Sequence, residues 1–152
     1  TYNGVVIDFV DGGTALALDR SIRSGIAIAS EAELVVGSLD GYSESSDSVS
    51  IWDLRTGETR ITFMAAHSPT DDPYAHYEPG VRDCAITPDG SRLVTTSSDG
   101  WISVWETASG DAVRHIRPPT ESSSIAISPN GQYVIAGDGH GAIRIWLADP
   151  PD

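Results

Sequence analysis

One segment of this chain occurs twice at a constant offset of 41 residues, without a gap. The two copies are AITPDGSRLVTTSSDGWISVW at 85–105 and AISPNGQYVIAGDGHGAIRIW at 126–146. A third copy, AIASEAELVVGSLDGYSESSDSVSIW at 27–52, is one residue shorter in its first turn and longer in its second. A repeat of this length indicates a fold assembled from stacked copies of one supersecondary unit.

Each copy has the pattern of short strands separated by tight turns. Pro88-Asp89-Gly90 and Pro129-Asn130-Gly131 are turn signals, because proline presets one backbone dihedral and glycine tolerates positive φ. WISVW, AIRIW and SVSIW alternate with the period of a β-strand, and TRITF and AVRHI follow as fourth strands. Four antiparallel strands per repeat predict an all-β chain built from propeller blades.

SIWDLRTGE, SVWETASGD and ISPNGQYVIAG resemble the WD-repeat family, whose blades run through strands a, b, c and d. The resemblance covers about residues 25–147 and implies one propeller segment over 1–152. By itself a fold of this kind says little about function. The resemblance divides the chain into a partial blade of strands c and d (1–21), blade one (22–66), blade two (67–118, with an inserted loop at 66–80) and blade three (119–148, without strand d).

Three blades do not close a propeller, since closed rings use about four to eight. The first residues of the sequence resemble strands c and d of a blade, and the last blade has no strand d. In many WD-repeat propellers an N-terminal strand completes the last blade. We therefore expect the C-terminal part of a larger propeller, completed by further residues or by a second copy of the chain. In the second case TALAL, 14–18, would supply strand d and a dimer would have six blades.

The charge of the chain limits its partners. There are 22 acidic residues against nine basic ones, giving a net charge of −13, which disfavours binding to nucleic acid. The acidic composition has two possible interpretations, high solubility or the binding of cations. No apolar run suits a bilayer span, no signal peptide opens the chain, and a single cysteine excludes a disulfide framework within it. We expect a cytoplasmic protein with protein partners, no membrane contact and no cofactor.

The resemblance also implies a hydrogen-bonded tetrad that holds each blade together. In blade two its members would be His76, Ser97, Asp99 and Trp105, with His67 as the alternative histidine. A neutral imidazole can donate to the aspartate and accept from the serine, and the indole adds a donor. A Ser-His-Asp catalytic triad uses the same residue types, but the repeat context favours the structural reading.

The first and third blades depart from this pattern. In blade one Ser38 and Trp52 fit, while the aspartate is either Asp40 or Asp47 and no histidine precedes strand a. In blade three an aspartate, residue 138, stands at the serine position and His140 stands at the aspartate position. These two side chains either pair with each other or leave His140 as an exposed turn residue.

Two insertions, 40–47 and 66–80, mark the expected binding surface. In the WD-repeat family the b–c turns and d–a loops share the top of the disc, and loops on a rigid scaffold often carry binding residues. The alternative is that the aromatic residues pack their own loops. Asp71, Asp72, His67 and His76 have no metal-ligand spacing, so no metal is expected. The candidate partner-binding residues are Tyr42, Glu44, Asp71, Asp72, Tyr74, Tyr77, Trp101 and His140.

No nucleophile elbow, phosphate loop or calcium loop occurs in the sequence. The main hypothesis is a non-catalytic protein-interaction scaffold. The alternative is a propeller enzyme or a divalent-cation-binding domain that uses acidic top loops. For either function the inter-blade core is predicted to consist of Ile26, Ile28, Val35, Ile51, Ala85, Ile86, Val94, Ile102, Val104, Ile125, Ile127, Val134, Ile143 and Ile145.

Overall fold

The computed structural model of the chain describes residues 6–7, 16–17, 22–39, 48–65 and 80–149. These residues form antiparallel sheets, which confirms the all-β prediction and its blade-like units. In the described part of the chain there is no helix that could span a membrane.

Three sheets carry the repeats and are named blades one, two and three. Blade one consists of β3 (Ile22–Ala29), β4 (Leu34–Leu39), β5 (Ser48–Asp53) and β6 (Thr59–Met64), paired in chain order. Blade two consists of β7 (Val81–Ile86), β8 (Arg92–Ser97), β9 (Ile102–Glu106) and β10 (Ala112–Ile116), also in chain order. Blade three consists of β11 (Ser122–Ile127), β12 (Tyr133–Asp138) and β13 (Ile143–Leu147), and a separate pair joins β1 (Val6–Ile7) to β2 (Leu16–Ala17).

The turn between strands a and b has the same construction in blades two and three. Gly90 and Gly131 have φ values of 72° and 70°, in the left-handed region that glycine adopts without strain. In blade two the Thr87 hydroxyl donates to Asp89 Oδ1 at 2.6 Å, and this hydrogen bond is the main reason why the pKa of Asp89 is lowered. In blade three the Ser128 hydroxyl donates to Asn130 Oδ1, also at 2.6 Å. The Pro-Asp/Asn-Gly sequence therefore specifies a turn whose polar side chain is bonded within the turn.

The blades stack face to face through two different surfaces. We call one the forward face: Val36, Val49 and Ile51 in blade one, Val94, Ile102 and Val104 in blade two, and Ile135, Ile143 and Ile145 in blade three. The other is the back face: Ile26, Ile28, Val35 and Trp52 in blade one, Cys84, Ile86, Leu93 and Trp105 in blade two, and Ile125, Ile127, Val134 and Trp146 in blade three. The forward face of blade one packs on the back face of blade two, and the forward face of blade two packs on the back face of blade three.

Half of the predicted core residues are buried, and three more are half-buried. Val35, Ile51, Ile86, Val94, Ile102, Val104 and Val134 are buried, and Ala85, Ile125 and Ile127 are half-buried. The prediction is wrong for four isoleucines, which are 55 to 75% exposed: Ile26, Ile28, Ile143 and Ile145. The physical reason is their position: Ile26 and Ile28 lie on the β3 side of the first back face, and Ile143 and Ile145 lie on the last forward face. Within the described residues no further blade packs against them.

The inner strands of neighbouring blades are also joined by polar contacts. The Ser24 hydroxyl donates to the Val81 carbonyl at 2.8 Å, and the Cys84 thiol donates to the Gly25 carbonyl at 3.2 Å. Burial raises the pKa of the Cys84 thiol to about 12, so this cysteine stays a neutral donor at physiological pH. On the other side of blade two, Asp83 Oδ2 accepts a hydrogen bond from the backbone N–H of Ile125 at 3.0 Å. These bonds fix the blades in register with each other.

Candidate functional site

The site predicted from the sequence lies along one edge of the three sheets. In each blade the start of strand a pairs with the end of strand b: Ile22 with Leu39, Val81 with Ser97, and Ser122 with Asp138. Antiparallel pairing therefore places the b–c turns and the connections into strand a at the same edge. We call this the top edge, and the opposite edge, which holds the a–b and c–d turns, the bottom edge.

Both ends of the longer insertion are fixed to blade two. The carbonyl of Ala65 accepts a hydrogen bond from the Thr95 hydroxyl at 3.0 Å. Gly80 and Ser98 are joined twice, by Ser98 N–H to the Gly80 carbonyl and by Gly80 N–H to the Ser98 hydroxyl, both at 2.9 Å. The insertion thus leaves and re-enters the described structure beside the b–c turn of blade two. The shorter insertion is bounded by Leu39 and Ser48, at the end of β4 and the start of β5.

Asp99 is held in this b–c turn as the sequence predicts. Its Oδ1 accepts hydrogen bonds from the Ser97 hydroxyl and from the Trp101 N–H, the second at 3.3 Å. Its Oδ2 is buried and accepts no hydrogen bond from the part of the chain that the structure describes. His67 and His76 lie outside the described residues, so the histidine of the tetrad stays a prediction. The Ser97 side chain is itself buried.

The hydrogen bond of Trp105 is made to strand b of its own blade. Its indole N–H donates to the Thr95 hydroxyl at 2.9 Å rather than to Ser97. Trp105 pairs across the sheet with Leu93, so Ser97 lies four residues, roughly 13 Å, further along the same strand face. Thr95 lies only two residues along that face. Thr95 is thus the strand-b residue that bonds the indole of Trp105, and the tetrad as a whole stays a prediction.

In blade one the serine and the tryptophan are separated by strand parity instead. Trp52 pairs with Val35 and is completely buried, whereas Ser38 lies on the opposite face of β4. The Ser38 hydroxyl is hydrogen-bonded to Ser24, accepting from its backbone N–H at 3.1 Å. Ser38 and Trp52 therefore lie on opposite faces of blade one. The candidate aspartates of this blade, Asp40 and Asp47, lie outside the described residues.

Blade three replaces the tetrad with an ionic cluster. Asp138 Oδ1 accepts from the backbone N–H groups of His140 and Ala142 at 3.0 and 2.9 Å. Its Oδ2 accepts from the Thr120 hydroxyl at 2.5 Å and from Arg144 Nη1 at 2.6 Å. The Asp138 side chain is only 2% exposed, and these hydrogen bonds, led by that of Thr120, hold its pKa well below the usual range. The imidazole of His140 takes no part, and His140 is an exposed turn residue.

Trp101 is engaged within its own blade. The guanidinium of Arg117 lies 5.1 Å from the centre of the Trp101 ring, and His115 meets the ring edge-on at 6.4 Å between centroids. His115 also stacks edge-on with Trp105 at 5.9 Å and bonds the Ser103 hydroxyl through Nδ1 at 2.9 Å. Trp101 is half-buried. Part of its side chain packs within blade two, and the rest is accessible to a partner.

The other predicted contact residues belong to the two insertions. Tyr42, Glu44, Asp71, Asp72, Tyr74 and Tyr77 lie outside the described residues. Among the described residues there is no group of three or more His, Cys, Asp or Glu side chains that could hold a metal ion.

The bottom edge holds an open cavity that the sequence did not predict. It has a volume of about 510 Å³ and lies between blades two and three. Arg92 lines it and forms an ion pair with Asp149 at 3.3 Å, beside the polar side chains of Asp89, Asn130 and Gln132. The repeat pattern carries no signal for it, because the cavity arises between two units rather than within one.

The stacked sheets, with a tryptophan on strand c of each, define the class of protein as one built from β-propeller blades. The family model described as "WD domain, G-beta repeat" matches residues 59–106 and 112–146, which is more than half of the chain. The chain belongs to this WD-repeat family.

Curated relatives share short stretches with the chain. Protein hir1 of Emericella nidulans is 31% identical over 83 residues, covering 47% of this chain and 8% of the relative. Telomerase protein component 1 of Mus musculus is 27% identical over 126 residues, covering 83% and 4%. Ribosome biogenesis protein YTM1 of Laccaria bicolor is 29% identical over 112 residues, covering 69% and 22%. The chain therefore spans less than a quarter of the length of each of these relatives.

Proposed function

We propose that this chain is a non-catalytic interaction scaffold whose protein partner binds the top edge. The observation that carries the proposal is the anchoring of the insertion 66–80, at Ala65 and at Gly80, beside the b–c turn of blade two. A loop fixed at both ends to a rigid sheet presents its side chains at a lower entropy cost than a free segment. The three blades would present this edge as part of a closed ring of blades.

The sequences of the two insertions indicate the chemistry of the partner. They carry acidic residues and tyrosines and contain neither Arg nor Lys: Asp40, Tyr42, Glu44, Asp47, Asp71, Asp72, Tyr74, Tyr77 and Glu78. Tyrosine supplies contact area at low entropy cost, and acidic loops favour encounter with a basic surface. We infer a protein partner with a basic contact patch. The naming of one relative as a protein component of telomerase agrees with a role in assembly.

The test is partner capture by the intact chain, using cross-linking in cell extract. Deleting 68–74 or changing Tyr42 and Tyr77 to alanine should abolish capture of the partner without lowering the melting temperature. The matched control changes Asn130 and Gln132 at the bottom edge to alanine, which should leave capture intact. Capture that survives the top-edge changes, or that is lost with the bottom-edge control, would place the binding surface elsewhere.

The rival cation-binding function is tested on the same samples. Titration with millimolar calcium or magnesium should leave the melting temperature unchanged if the acidic loops serve a protein partner. A large metal-dependent stabilisation that is lost in Asp71→Asn/Asp72→Asn would favour the cation-binding function instead.

A further inference from the structure

At the bottom edge, the junction between blades one and two is closed, whereas the junction between blades two and three is open. In the closed junction the N–H groups of Glu31 and Ala32 donate to the Pro88 carbonyl at 2.9 and 3.2 Å. Gly90 approaches blade one so closely that a Cβ atom there would lie 2.8 Å from the Ala32 side chain. In the open junction no backbone hydrogen bond joins the two a–b turns, both of which the structure describes, and the cavity of about 510 Å³ lies between them.

The two junctions also differ at the first residue of strand b. Leu34, Arg92 and Tyr133 occupy equivalent positions, because each precedes the strand-b residue that pairs with the strand-c tryptophan. Leu34 is buried, and a Cβ atom at Gly90 of the next blade would lie 2.9 Å from its Cδ1. In blade two the same position holds an arginine, which lines the cavity. A cationic side chain thus stands at the open junction where an apolar one fills the closed junction.

The guanidinium of Arg92 is only partly hydrogen-bonded. Its Nη2 donates to Asp149 Oδ2 at 3.3 Å, and the Asp149 side chain is 60% exposed. Its Nη1 is buried and has no hydrogen-bond partner among the described residues. Since a buried donor without an acceptor is unfavourable, an oxygen from a ligand would stabilise it. The guanidinium therefore has the capacity to bond a second acceptor.

The other polar groups of the cavity leave this role to a ligand. Asp89 is bonded within its own turn, accepting from the Thr87 hydroxyl at 2.6 Å and from the Ser91 N–H and hydroxyl at 3.0 Å each. The opposite wall carries two exposed carboxamides, Asn130 and Gln132. A carboxamide both donates and accepts hydrogen bonds, as the peptide groups of a ligand require.

We propose that this cavity binds an acidic side chain of a peptide, whose carboxylate takes the place of Asp149 on Arg92. The contact with Asp149 shows that a carboxylate fits against the guanidinium at this position. An incoming carboxylate can bond both terminal nitrogens, which is the strong two-point geometry of arginine–carboxylate pairs. Exchange is inexpensive because an exposed ion pair such as that of Asp149 contributes little. The cavity volume is in the usual range for ligand sites.

The net charge of −13 does not prevent this binding. At physiological ionic strength, exposed charges more than about 8 Å away are largely screened. The exchange also replaces one carboxylate on Arg92 by another. An acidic ligand at the bottom edge is distinct from the basic partner proposed for the top edge, so this inference goes beyond the proposed function.

The test is titration of the full chain with blocked tripeptides, followed by NMR shifts of the backbone amides of Ser91, Gly131 and Gln132. The probe is acetyl-Ala-Glu-Ala-amide, and its matched control carries glutamine in place of glutamate. We expect the glutamate peptide to bind at least about tenfold more tightly, because its carboxylate is charged. Free acetate and acetyl-Ala-Ala-Ala with a free C-terminal carboxylate should both bind more weakly than the glutamate peptide.

Variants of the ion pair test the role assigned to each partner. Arg92→Gln should abolish the preference for glutamate, and Arg92→Lys should retain only part of it, because lysine lacks the two-point geometry. Asp149→Asn removes the competing carboxylate and should tighten binding by up to about fivefold. The matched control is Arg60→Gln, which removes an exposed arginine paired with Asp53 on blade one and should leave binding unchanged.

Equal binding of the glutamate and glutamine peptides, or a preference for glutamate that survives in Arg92→Gln, would overturn the inference. Shifts confined to residues away from the bottom edge would also overturn it. Acetate or the C-terminal carboxylate binding as tightly as the glutamate peptide would overturn the assignment to an acidic side chain. Circular dichroism checks the fold of each variant, and Arg92→Lys with Asp149→Asn decides the result if Arg92→Gln does not fold. Partner capture at the top edge is measured separately, so either proposal can fail without the other.

Discussion

Thr95 and Thr96 are adjacent buried residues on β8 with opposite polar environments. The Thr95 hydroxyl accepts from Trp105 and donates to the carbonyl of Ala65, whereas the Thr96 hydroxyl has no hydrogen-bond partner in the described structure. Strand alternation causes the difference, because Thr95 faces blade one and Thr96 faces blade three. A shift of one residue along the strand therefore decides whether a buried threonine hydroxyl is hydrogen-bonded.

We expect Thr95→Val to lower the free energy of unfolding by about 1 to 3 kcal/mol, because it leaves the Trp105 N–H and the Ala65 carbonyl without partners. The measurement is urea denaturation followed by tryptophan fluorescence. Thr96→Val is the matched control and should be neutral or stabilising, since it removes a buried hydroxyl that forms no bond within the described residues. Equal losses in both variants would contradict the role of Thr95.

In blade three the carboxylate of Asp138, rather than a tetrad, stabilises the b–c turn. Asp138 accepts two backbone N–H groups of the turn, and its other oxygen binds Thr120 from the preceding connection and Arg144 from β13. This carboxylate thus ties the connection, strand b, the turn and strand c to one another. The cluster is fully hydrogen-bonded, which makes a buried charge tolerable.

Acid titration tests the role of this carboxylate. The folded-state pKa of Asp138 is lowered relative to the unfolded value of about 3.9, so its stabilising contribution is complete above that value. As the pH falls below about 4, the contribution declines through protonation. We expect Asp138→Asn to unfold at a lower temperature than the wild type at pH 7, with a difference that shrinks toward pH 2.

The control for this titration is Asp149→Asn, whose side chain is 60% exposed and forms a 3.3 Å ion pair. A surface pair of this kind contributes little. This variant should melt close to the wild type at pH 7. A difference between Asp138→Asn and the wild type that is constant with pH would contradict the stabilising role of the ionised carboxylate.

In the whole molecule, the spacing of the blades depends on a close backbone approach at Gly25. Its φ is 60°, and a Cβ atom there would lie 2.8 Å from the backbone N of Cys84. Ser24 and Cys84 bond across the same junction. The inner strands of blades one and two are therefore as close as a glycine allows.

Gly25→Ala should lower the free energy of unfolding by about 1 to 3 kcal/mol, from backbone strain and from displacement of β7. Thermal and urea unfolding would measure this loss. Gly139→Ala is the matched control, because an added methyl group there would meet no atom within 4 Å, and it should shift stability by less than about 0.5 kcal/mol. A tolerated alanine at residue 25 would show that the blades can separate without cost.

The strands, the turns and the repeat follow from local sequence patterns, because alternation and Pro-Asp/Asn-Gly turns act over a few residues. The sequence also predicts the turn at Asp99 and the two insertions that separate β4 from β5 and β6 from β7. It also contained the information for Thr95, since counting outward from the turn at Asp99 pairs Trp105 with Leu93.

Tertiary structure alone decided which apolar faces are buried. Val104 and Ile145 occupy equivalent positions on strand c and have the same local pattern, yet Val104 is fully buried and Ile145 is 63% exposed. Hydrophobic periodicity reports which side of a strand is apolar, but burial depends on whether another sheet lies against that side. For the same reason the Asp138 cluster and the bottom-edge cavity were not predicted, because each is formed by groups that meet only after the strands have paired and the blades have stacked.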